Sequence, residues 1–252
     1  MIVNGSWVEA LERNDLSDSW LLGDGHFETI RTYNNRPFAL ERHLGRLRSA
    51  RLASGLADVN LELFRTGVSK LLERAPHVSG KLRLIVGSDG NWIATHDAYS
   101  PPSRTIRCQI INIAARADAI GKQTSYGERF ALRRRAQADG FDDAILTRGA
   151  TTIIEATTCN VIALVNGVWL TPNLDSGCLA GITRSLLIEN FGVKEAEVSR
   201  ADLAVAEAVA LTSSLREIQV VESIDGILLP SSHALTRLAD DFHSWILGNL
   251  AP

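Results

Sequence analysis

The sequence predicts a mixed protein of the α/β or α+β class with two subdomains, and three observations support this prediction. Segments with apolar residues three and four positions apart alternate with short β-rich runs in both halves of the chain. Several β-rich runs flank Asn-Gly, Asn-Asn or Asp-Gly pairs, which are typical of tight hairpin turns. The length of 252 residues suits one large domain or two small ones. We expect an N-terminal subdomain over residues 1–113, a small and polar linker over 114–120, and a C-terminal subdomain over 121–252.

The first half should begin with two β-hairpins, whose turns lie at Asn4-Gly5 and Asn34-Asn35. Two helices should follow, since apolar residues recur there at helical spacing. Two later β-rich runs are separated by a stretch rich in glycine and proline, residues 87–103. The expected elements are strands over 2–3, 7–8, 26–33 and 37–40, helices over 43–53 and 61–74, and strands over 81–87 and 105–114.

The second half repeats this mixture of helices and hairpins. An amphipathic helix should end near Gly140, and the pairs Asn166-Gly167 and Asp225-Gly226 should form hairpin turns. The expected elements are helices over 128–138, 182–190, 200–207 and 232–247, and strands over 143–147, 161–165, 168–170, 208–212, 219–224 and 227–229.

The composition is typical of a folded globular protein and argues against several classes of function. Hydrophobic residues make up 45% of the chain, and 26 basic against 29 acidic side chains leave a net charge of −3. This balance lacks the positive charge of a protein that binds nucleic acid or a membrane surface. The N-terminus does not resemble a signal peptide, and no stretch of 18 or more residues is apolar enough to span a bilayer.

The cysteines and histidines predict neither a disulfide framework nor a metal site. Cys108, Cys159 and Cys178 are odd in number and show no Cys-x-x-Cys spacing. The six histidines are scattered and include no His-x-x-x-His pair. Together with the N-terminus, this cysteine usage predicts a cytoplasmic protein.

Three common enzyme motifs are absent or incomplete. Gly23-Asp24-Gly25 lacks the third glycine of a dinucleotide fingerprint and leads into a strand-like run. Gly121-Lys122 resembles the end of a phosphate-binding loop, but Arg116 stands where the first glycine belongs and Gln123 replaces the serine or threonine. No Gly-x-Ser-x-Gly sequence supports a hydrolase nucleophile.

Six short blocks spread along the chain carry the chemistry. In this order and spacing they resemble the class IV, or fold type IV, pyridoxal-phosphate enzymes, which include branched-chain aminotransferases, D-amino-acid aminotransferases and 4-amino-4-deoxychorismate lyases. The resemblance implies a D-amino-acid-aminotransferase-like fold with pyridoxal 5′-phosphate (PLP) in a cleft between the subdomains. It also implies a small-molecule amino substrate and a homodimer. The blocks are residues 23–31, 43–47, 122–126, 155–160, 181–184 and 212–218.

The resemblance assigns the catalytic lysine to Lys122. A pyridoxal cofactor needs a lysine that forms a Schiff base with it and later moves protons. Lys122 and Tyr126 match the family's Lys-x-x-Asn-Tyr block, with Ser125 in place of the asparagine. Tyr126 would then hydrogen-bond the phenolic oxygen of the cofactor, and a purely structural buried tyrosine is the alternative.

Glu155 is the candidate partner of the pyridine nitrogen. It lies in the family's Glu-x-x-x-x-Asn block, and a carboxylate beside that nitrogen keeps it protonated, which makes the ring an electron sink. The run before it, 151–154, reads as buried, where an unpaired carboxylate would be costly. An ordinary glutamate at a strand end is the alternative. Thr158 is a further candidate beside the ring.

The resemblance also implies a phosphate cup. Ile182 and Thr183 open a helix after Gly181, so backbone amides and the helix dipole favour an anion there. Arg46 would supply positive charge, although a solvated helix face is the alternative for it. Ser214 would add a hydroxyl donor.

Two of the blocks resemble the lyases more than the aminotransferases. Residues 23–31 and 212–218 match strings common in 4-amino-4-deoxychorismate lyases, except that Glu217 stands where glycine is usual. Such a lyase would release pyruvate and 4-aminobenzoate, a folate precursor, and Thr29 and Arg83 are candidate substrate-binding residues. An aminotransferase acting on branched-chain or D-amino acids is the alternative. A non-enzymatic cofactor carrier is disfavoured because lysine, glutamate and phosphate cup are all present.

Overall fold

The computed structural model of the protein describes residues 1–12, 16–102, 105–113 and 121–252. The predicted linker, 114–120, lies outside these residues. Contacts divide the chain into two units, each with its own sheet, and the mixed α/β class is confirmed. The described part of the first unit comprises 1–12, 16–101, 121–126 and 247–252, and that of the second comprises 102, 105–113 and 127–246.

The described residues form seven α-helices and fifteen strands. The helices are α1 (Asp18–Leu21), α2 (Leu40–Ala53), α3 (Leu61–Arg74), α4 (Gly127–Ala138), α5 (Ile182–Phe191), α6 (Arg200–Ala204) and α7 (His233–Gly248). The strands are β1 (Ile2–Val3), β2 (Ser6–Trp7), β3 (Gly25–Tyr33), β4 (Arg36–Pro37), β5 (Ser79–Gly87), β6 (Trp92–Ala98), β7 (Thr105–Ile113), β8 (Asp143–Arg148), β9 (Thr152–Ala156), β10 (Asn160–Val165), β11 (Val168–Pro172), β12 (Lys194–Ala196), β13 (Ala208–Ser213), β14 (Glu217–Ile224) and β15 (Ile227–Leu228).

The first unit contains an antiparallel sheet with the strand order β2-β1-β6-β5-β3-β4. Side chains alternate between the two faces of a strand. On β5 the even-numbered Leu82, Leu84 and Val86 are fully buried and pack with the apolar side chains of α2 and α3. The odd-numbered side chains from Lys81 to Ile85 remain half-buried, so this face is available for polar residues.

Residues 122–124 extend this sheet along the first part of β3. Phe27 N donates a hydrogen bond to the Lys122 carbonyl at 2.9 Å, and Thr124 N donates to the Gly25 carbonyl at 2.9 Å. This side of β3 is open there because β4 pairs only with the far end of the strand. Gly121 precedes the segment at a φ of +69°, where a Cβ atom would overlap the side chain of Ala50. The chain therefore brings Lys122 alongside Phe27.

The second unit contains a mixed sheet in the order β12-β11-β10-β13-β14-β7-β8-β9, with β15 added to β14. The β11–β12, β14–β7 and β7–β8 pairs are parallel and the others antiparallel. Strand β9 at one edge also contacts β10, so the sheet curls back on itself. In its main core, the odd-numbered side chains of β10 and β13, such as Val161, Ala163, Val209 and Leu211, pack with Leu203 of α6.

The boundaries of the two units differ from those of the subdomains expected from the sequence. Strand β7 groups with the second unit because it pairs in parallel with β14 and β8. Residues 121–126 group with the first unit because they hydrogen-bond to β3. The stretch 87–103 is also not simply a breaker-rich connection, since it contains β6, a strand between β1 and β5. No helix in the described ranges is long and apolar enough to cross a membrane.

Candidate active site

The side chain of Lys122 lies against two aromatic rings in the first unit. Its Nζ donates a hydrogen bond to Tyr126 Oη at 3.2 Å. The same nitrogen lies 4.5 Å from the centre of the Phe27 ring and 4.8 Å from that of Tyr126. The two rings meet edge to face, with their centroids 5.1 Å apart. A half-buried amine is therefore held beside a phenolic hydroxyl.

Thr29 and Arg83 lie on the half-exposed face of the sheet that also carries Phe27. Thr29 is two residues beyond Phe27 on β3, so their side chains point to the same face, and Arg83 is directly opposite Thr29 on β5. The Arg83 guanidinium carbon lies 5.7 Å from the centre of the Phe27 ring. Among the described residues, no hydrogen-bond partner reaches the buried Nε of Arg83. This face thus offers a cation and a hydroxyl on the side of the sheet that carries Phe27.

Arg46 is held on the opposite face of β3 by Glu28. Arg46 Nε donates to Glu28 Oε1 at 2.9 Å, and Arg46 Nη2 donates to Oε2 at 2.6 Å. The Nδ1 atom of His43, fully buried one turn earlier on α2, lies 2.7 Å from the same carboxylate. Burial alone would raise the pKa of Glu28, but the charge of Arg46 and the hydrogen bonds of Arg46 and His43 lower this pKa to about 2. Burial lowers the pKa of His43 in spite of the nearby carboxylate, so Arg46 is the main counter-charge.

Glu155, at the end of β9, is buried in the second unit, where three protein donors approach its carboxylate. Arg129 Nη2 donates to Glu155 Oε1 at 2.7 Å. Leu179 N donates to Oε2 at 3.1 Å, and Asn160 Nδ2 lies 3.5 Å from the same oxygen. The Glu155 side chain is 9% exposed, and Arg129 is its charged partner within the protein.

Asn160 connects this carboxylate with the segment that leads into α5. Its Nδ2 donates to the Leu179 carbonyl at 2.8 Å. Gly181, the N-cap residue of α5, lies so close that a Cβ atom there would overlap Asn160 Oδ1. Residues 179–181 are thus held from one side by Glu155 and Asn160 together.

The N-terminus of α5 presents an unpaired hydroxyl. Ile182 and Thr183 form the first turn, and Gly181 supplies no side-chain cap. Thr183 is 2% exposed, and its Oγ1 has no hydrogen-bond partner among the described residues. A buried hydroxyl without a partner is costly, whereas helix N-termini bind anions readily. This end of α5 is therefore suited to a phosphate group.

Ser214 lies in the turn between β13 and β14 and is half-buried. The turn is anchored by Arg216, whose Nη2 donates to the buried Asp143 at 3.2 Å and whose Nη1 donates to Gln219 at 2.9 Å. Thr158 lies in the short turn between β9 and β10, half-buried, with its Oγ1 3.7 Å from Cys159 Sγ.

The predicted residues fall into two groups, one in each unit. In the first unit Lys122 and Tyr126 are in contact, Thr29 and Arg83 share their face of the sheet, and Arg46 binds Glu28 on the other face. In the second unit Glu155 and the segment before Ile182 and Thr183 are linked, and Ser214 and Thr158 lie in separate turns. No cluster of His, Cys, Asp or Glu that could hold a metal ion occurs in the described ranges.

The cation that pairs with Glu155 was not predicted from the sequence. Arg129 lies on α4 at 7% exposure, and Leu132 and Ala136 follow it on the buried side of the helix. An arginine at a position where the helical periodicity calls for an apolar residue is the signal that would have identified it.

Comparison with known proteins identifies the family. The family described as amino-transferase class IV matches residues 25–224. A putative branched-chain-amino-acid aminotransferase of Methanocaldococcus jannaschii is 26% identical, over 89% of this chain and 87% of that protein. The fold IV-transaminase CpuTA1 from Curtobacterium pusillum matches with a TM-score of 0.80 and 30% identity, over 89% of this chain and 86% of its own. A putative 4-amino-4-deoxychorismate lyase from Legionella pneumophila shares the fold, with a TM-score of 0.84 and 24% identity over 98% of this chain and 97% of its own.

The described residues fit the cofactor of this family, pyridoxal 5′-phosphate. Lys122 is an amine beside a hydroxyl, Glu155 is a buried carboxylate, and Thr183 is an unpaired hydroxyl at a helix N-terminus. These are the kinds of group that bind an aldehyde, a pyridine nitrogen and a phosphate. The cofactor is therefore PLP, and the chain belongs to the class IV aminotransferase family of PLP-dependent enzymes, as either an aminotransferase or a lyase.

Proposed function

We propose that this protein is a PLP-dependent 4-amino-4-deoxychorismate lyase, which converts its substrate into pyruvate and 4-aminobenzoate. The products together contain all the atoms of the substrate, so the reaction needs no amino acceptor. When bound, the cofactor supplies an aldehyde that joins to amines and a ring that accepts electrons released at the substrate carbon. The residues of this chain bind, orient and move protons around that chemistry.

Lys122 is the proposed catalytic residue. Its Nζ holds the cofactor and afterwards carries the proton to and from the reacting carbon. Tyr126 Oη, 3.2 Å from that nitrogen, orients it and binds the phenolic oxygen of the cofactor. The rings of Phe27 and Tyr126 contact the amine and restrict where it can move.

The remaining cofactor-binding residues are proposed to bind the pyridine ring and the phosphate of PLP. Glu155 binds the pyridine nitrogen, with Thr158 beside the ring. The phosphate is bound by Thr183 Oγ1 and by the backbone amides of the first turn of α5, at Ile182. Ser214 and Arg46 complete the phosphate site. The unpaired hydroxyl of Thr183 supports the phosphate assignment, because a bound phosphate would supply the missing partner.

The observation that carries the lyase proposal is the cationic face around Thr29. Arg83 is opposite Thr29, and Arg31 is two residues further along β3 on the same face. 4-Amino-4-deoxychorismate carries two carboxylates, which arginines bind well. A branched aliphatic side chain would instead be best bound by an apolar surface.

A specific observation favours an aminotransferase acting on branched-chain or D-amino acids as the second candidate. Glu217 stands where the lyases usually have glycine. The chain also matches a putative branched-chain aminotransferase over most of its length.

One assay separates the two reactions. The purified protein with PLP is mixed with 4-amino-4-deoxychorismate and no amino acceptor, and 4-aminobenzoate fluorescence and pyruvate are both measured. The lyase yields both products in equal amounts, and K122A yields neither. If instead the protein leaves that compound intact and converts the cofactor to its amine form with branched-chain or D-amino acids, it is an aminotransferase.

We also propose that the protein acts as a homodimer in the cytoplasm and supplies 4-aminobenzoate for folate synthesis. The absence of membrane-spanning helices from the described residues is compatible with this location. Size-exclusion chromatography with light scattering measures the mass of the protein in solution. A single 27.4 kDa species would exclude the dimer.

A further inference from the structure

Arg129 makes two contacts at the end of β9, both with groups adjacent in the chain. Its Nη2 donates to Glu155 Oε1 at 2.7 Å, and its Nη1 lies 3.4 Å from the carbonyl oxygen of Ala156. Both side chains of the ion pair are buried, with 8% of Arg129 and 9% of Glu155 exposed. The planar guanidinium thus fixes the carboxylate relative to the backbone that carries it.

The contacts of Glu155 leave room for one more donor. A carboxylate has about four lone-pair positions in its two oxygens. Arg129 occupies one, and Leu179 N and Asn160 Nδ2 approach two others. The remaining position is available to an N–H group, and the pyridine nitrogen of the cofactor is such a group when protonated.

Arg129 also supplies the charge that a buried carboxylate requires. An isolated buried carboxylate is too costly to remain ionised, whereas an ion pair with good geometry and additional hydrogen bonds offsets much of that cost. Arg133 is also on α4, but it lies toward Asp142 and Asp143 instead. Arg134 on the same helix is exposed, so it provides a matched control.

We propose that Arg129 is a positioning residue, which acts through Glu155 to keep an oriented, ionised acceptor for the pyridine nitrogen of PLP. This inference rests on the proposed role of Glu155. Arg129 affects recognition of the ring nitrogen only through Glu155. It takes no part in binding the phosphate or in moving protons.

The test compares two ligands of the apoprotein, PLP and its 1-deaza analogue, in which a C–H group replaces the ring nitrogen. Their dissociation constants are measured for the wild type, E155Q, R129Q, R129K and R134Q, together with the melting temperature of each. The wild type should bind PLP roughly ten- to a hundredfold more tightly than the analogue, the range expected for one hydrogen bond to a charged group. R129Q should lose most of this preference while binding the analogue as the wild type does. R129K should keep part of the preference for PLP, because a lysine ammonium cannot reproduce the planar pair of N–H donors of arginine. R134Q should keep the whole preference.

The outcomes separate this inference from the assignment of Glu155. If E155Q abolishes the preference but R129Q retains it, Glu155 binds the ring nitrogen and the role of Arg129 is wrong. If R129Q weakens both ligands equally, Arg129 is only structural and the inference also fails. If the wild type and E155Q discriminate equally, the assignment of Glu155 fails and the inference fails with it. Should R129Q not fold, R129K decides, since a preference equal to that of the wild type would overturn the proposal.

Discussion

Arg46 binds Glu28 through two hydrogen bonds, from Nε to Oε1 at 2.9 Å and from Nη2 to Oε2 at 2.6 Å. The pair joins α2 to β3 one residue away from Phe27, whose ring contacts Lys122. Only 1% of the Glu28 side chain is exposed, so this charge depends on its partners within the protein. The guanidinium proposed to bind the phosphate is therefore oriented by a buried carboxylate.

This ion pair predicts that the protein loses stability in acid through Glu28. The pKa of Glu28 is about 2 in the folded protein against 4.5 for the free group, so the unfolded chain takes up the proton first as the pH falls. The contribution is present above pH 4.5 and is lost as the pH falls from 4.5 toward 2. It amounts to roughly 3 kcal/mol in full. Urea unfolding of the wild type and E28Q between pH 6 and about pH 3 measures the part of this contribution that is lost above pH 3.

E28Q should lose this part of the pH dependence, and its free energy of unfolding should fall less steeply. E41Q is the matched control on α2. Glu41 pairs with Arg65, but both side chains are exposed, and exposed pairs contribute little. Equal slopes for the wild type and E28Q would contradict the prediction.

K122A should abolish covalent attachment of PLP while changing the free energy of unfolding by less than about 1 kcal/mol, because Lys122 is only half-buried. The measurements are the visible absorbance of the reconstituted protein and peptide mapping after borohydride reduction. K81A is the control, since Lys81 is a half-buried lysine of the same sheet that pairs with Asp97 at 3.5 Å. A reduced cofactor mapped to another lysine would show that Lys122 is not the attachment site.

T183V should stabilise the apoprotein and weaken phosphate binding at the same time. Removing the unpaired buried hydroxyl should raise the free energy of unfolding by about 1 kcal/mol, and the affinity for PLP and for inorganic phosphate should fall about tenfold. In T171V, the control, a hydroxyl that bonds to the Val161 carbonyl at 2.8 Å is lost, so stability should fall without a change in phosphate affinity. Unchanged phosphate affinity in T183V would contradict the assignment.

G181A should disturb Asn160, and removing that side chain should relieve the effect. An alanine Cβ would overlap Asn160 Oδ1, which forces Asn160 away from the Leu179 carbonyl. The double substitution N160A/G181A should therefore destabilise by about 1 kcal/mol less than the sum of the two single ones. Urea unfolding of the four proteins gives the coupling energy, and additive effects would show that the two residues are not in contact.

Local sequence signals determined most of the secondary structure. The hairpin turns at Asn4-Gly5 and Asn34-Asn35 are confirmed, since all four residues have φ between +46° and +87°. The helix predicted over 61–74 is α3, and Asn60 caps it by accepting a hydrogen bond from Glu62 N. Such signals are readable because a turn or cap depends on residues only a few positions apart.

The family and the cofactor were also predicted from the sequence, because short blocks in a set order preserve the groups that PLP requires. The roles of Lys122, Glu155 and Thr183 remain predictions. Lys122 could be predicted from its own block alone, because Tyr126 follows it by four residues.

Only the tertiary structure decided which distant residues meet. The sequence shows four arginines on α4, and the fold selects Arg129 to pair with Glu155, 26 residues away. It also decided that β7 joins the second unit and that β6 lies between β1 and β5. These outcomes depend on strand pairing and burial across long stretches of chain. A local pattern of apolar and polar residues indicates that a side chain will be buried, but it does not specify the partner, because that partner is set by the packing of the whole unit.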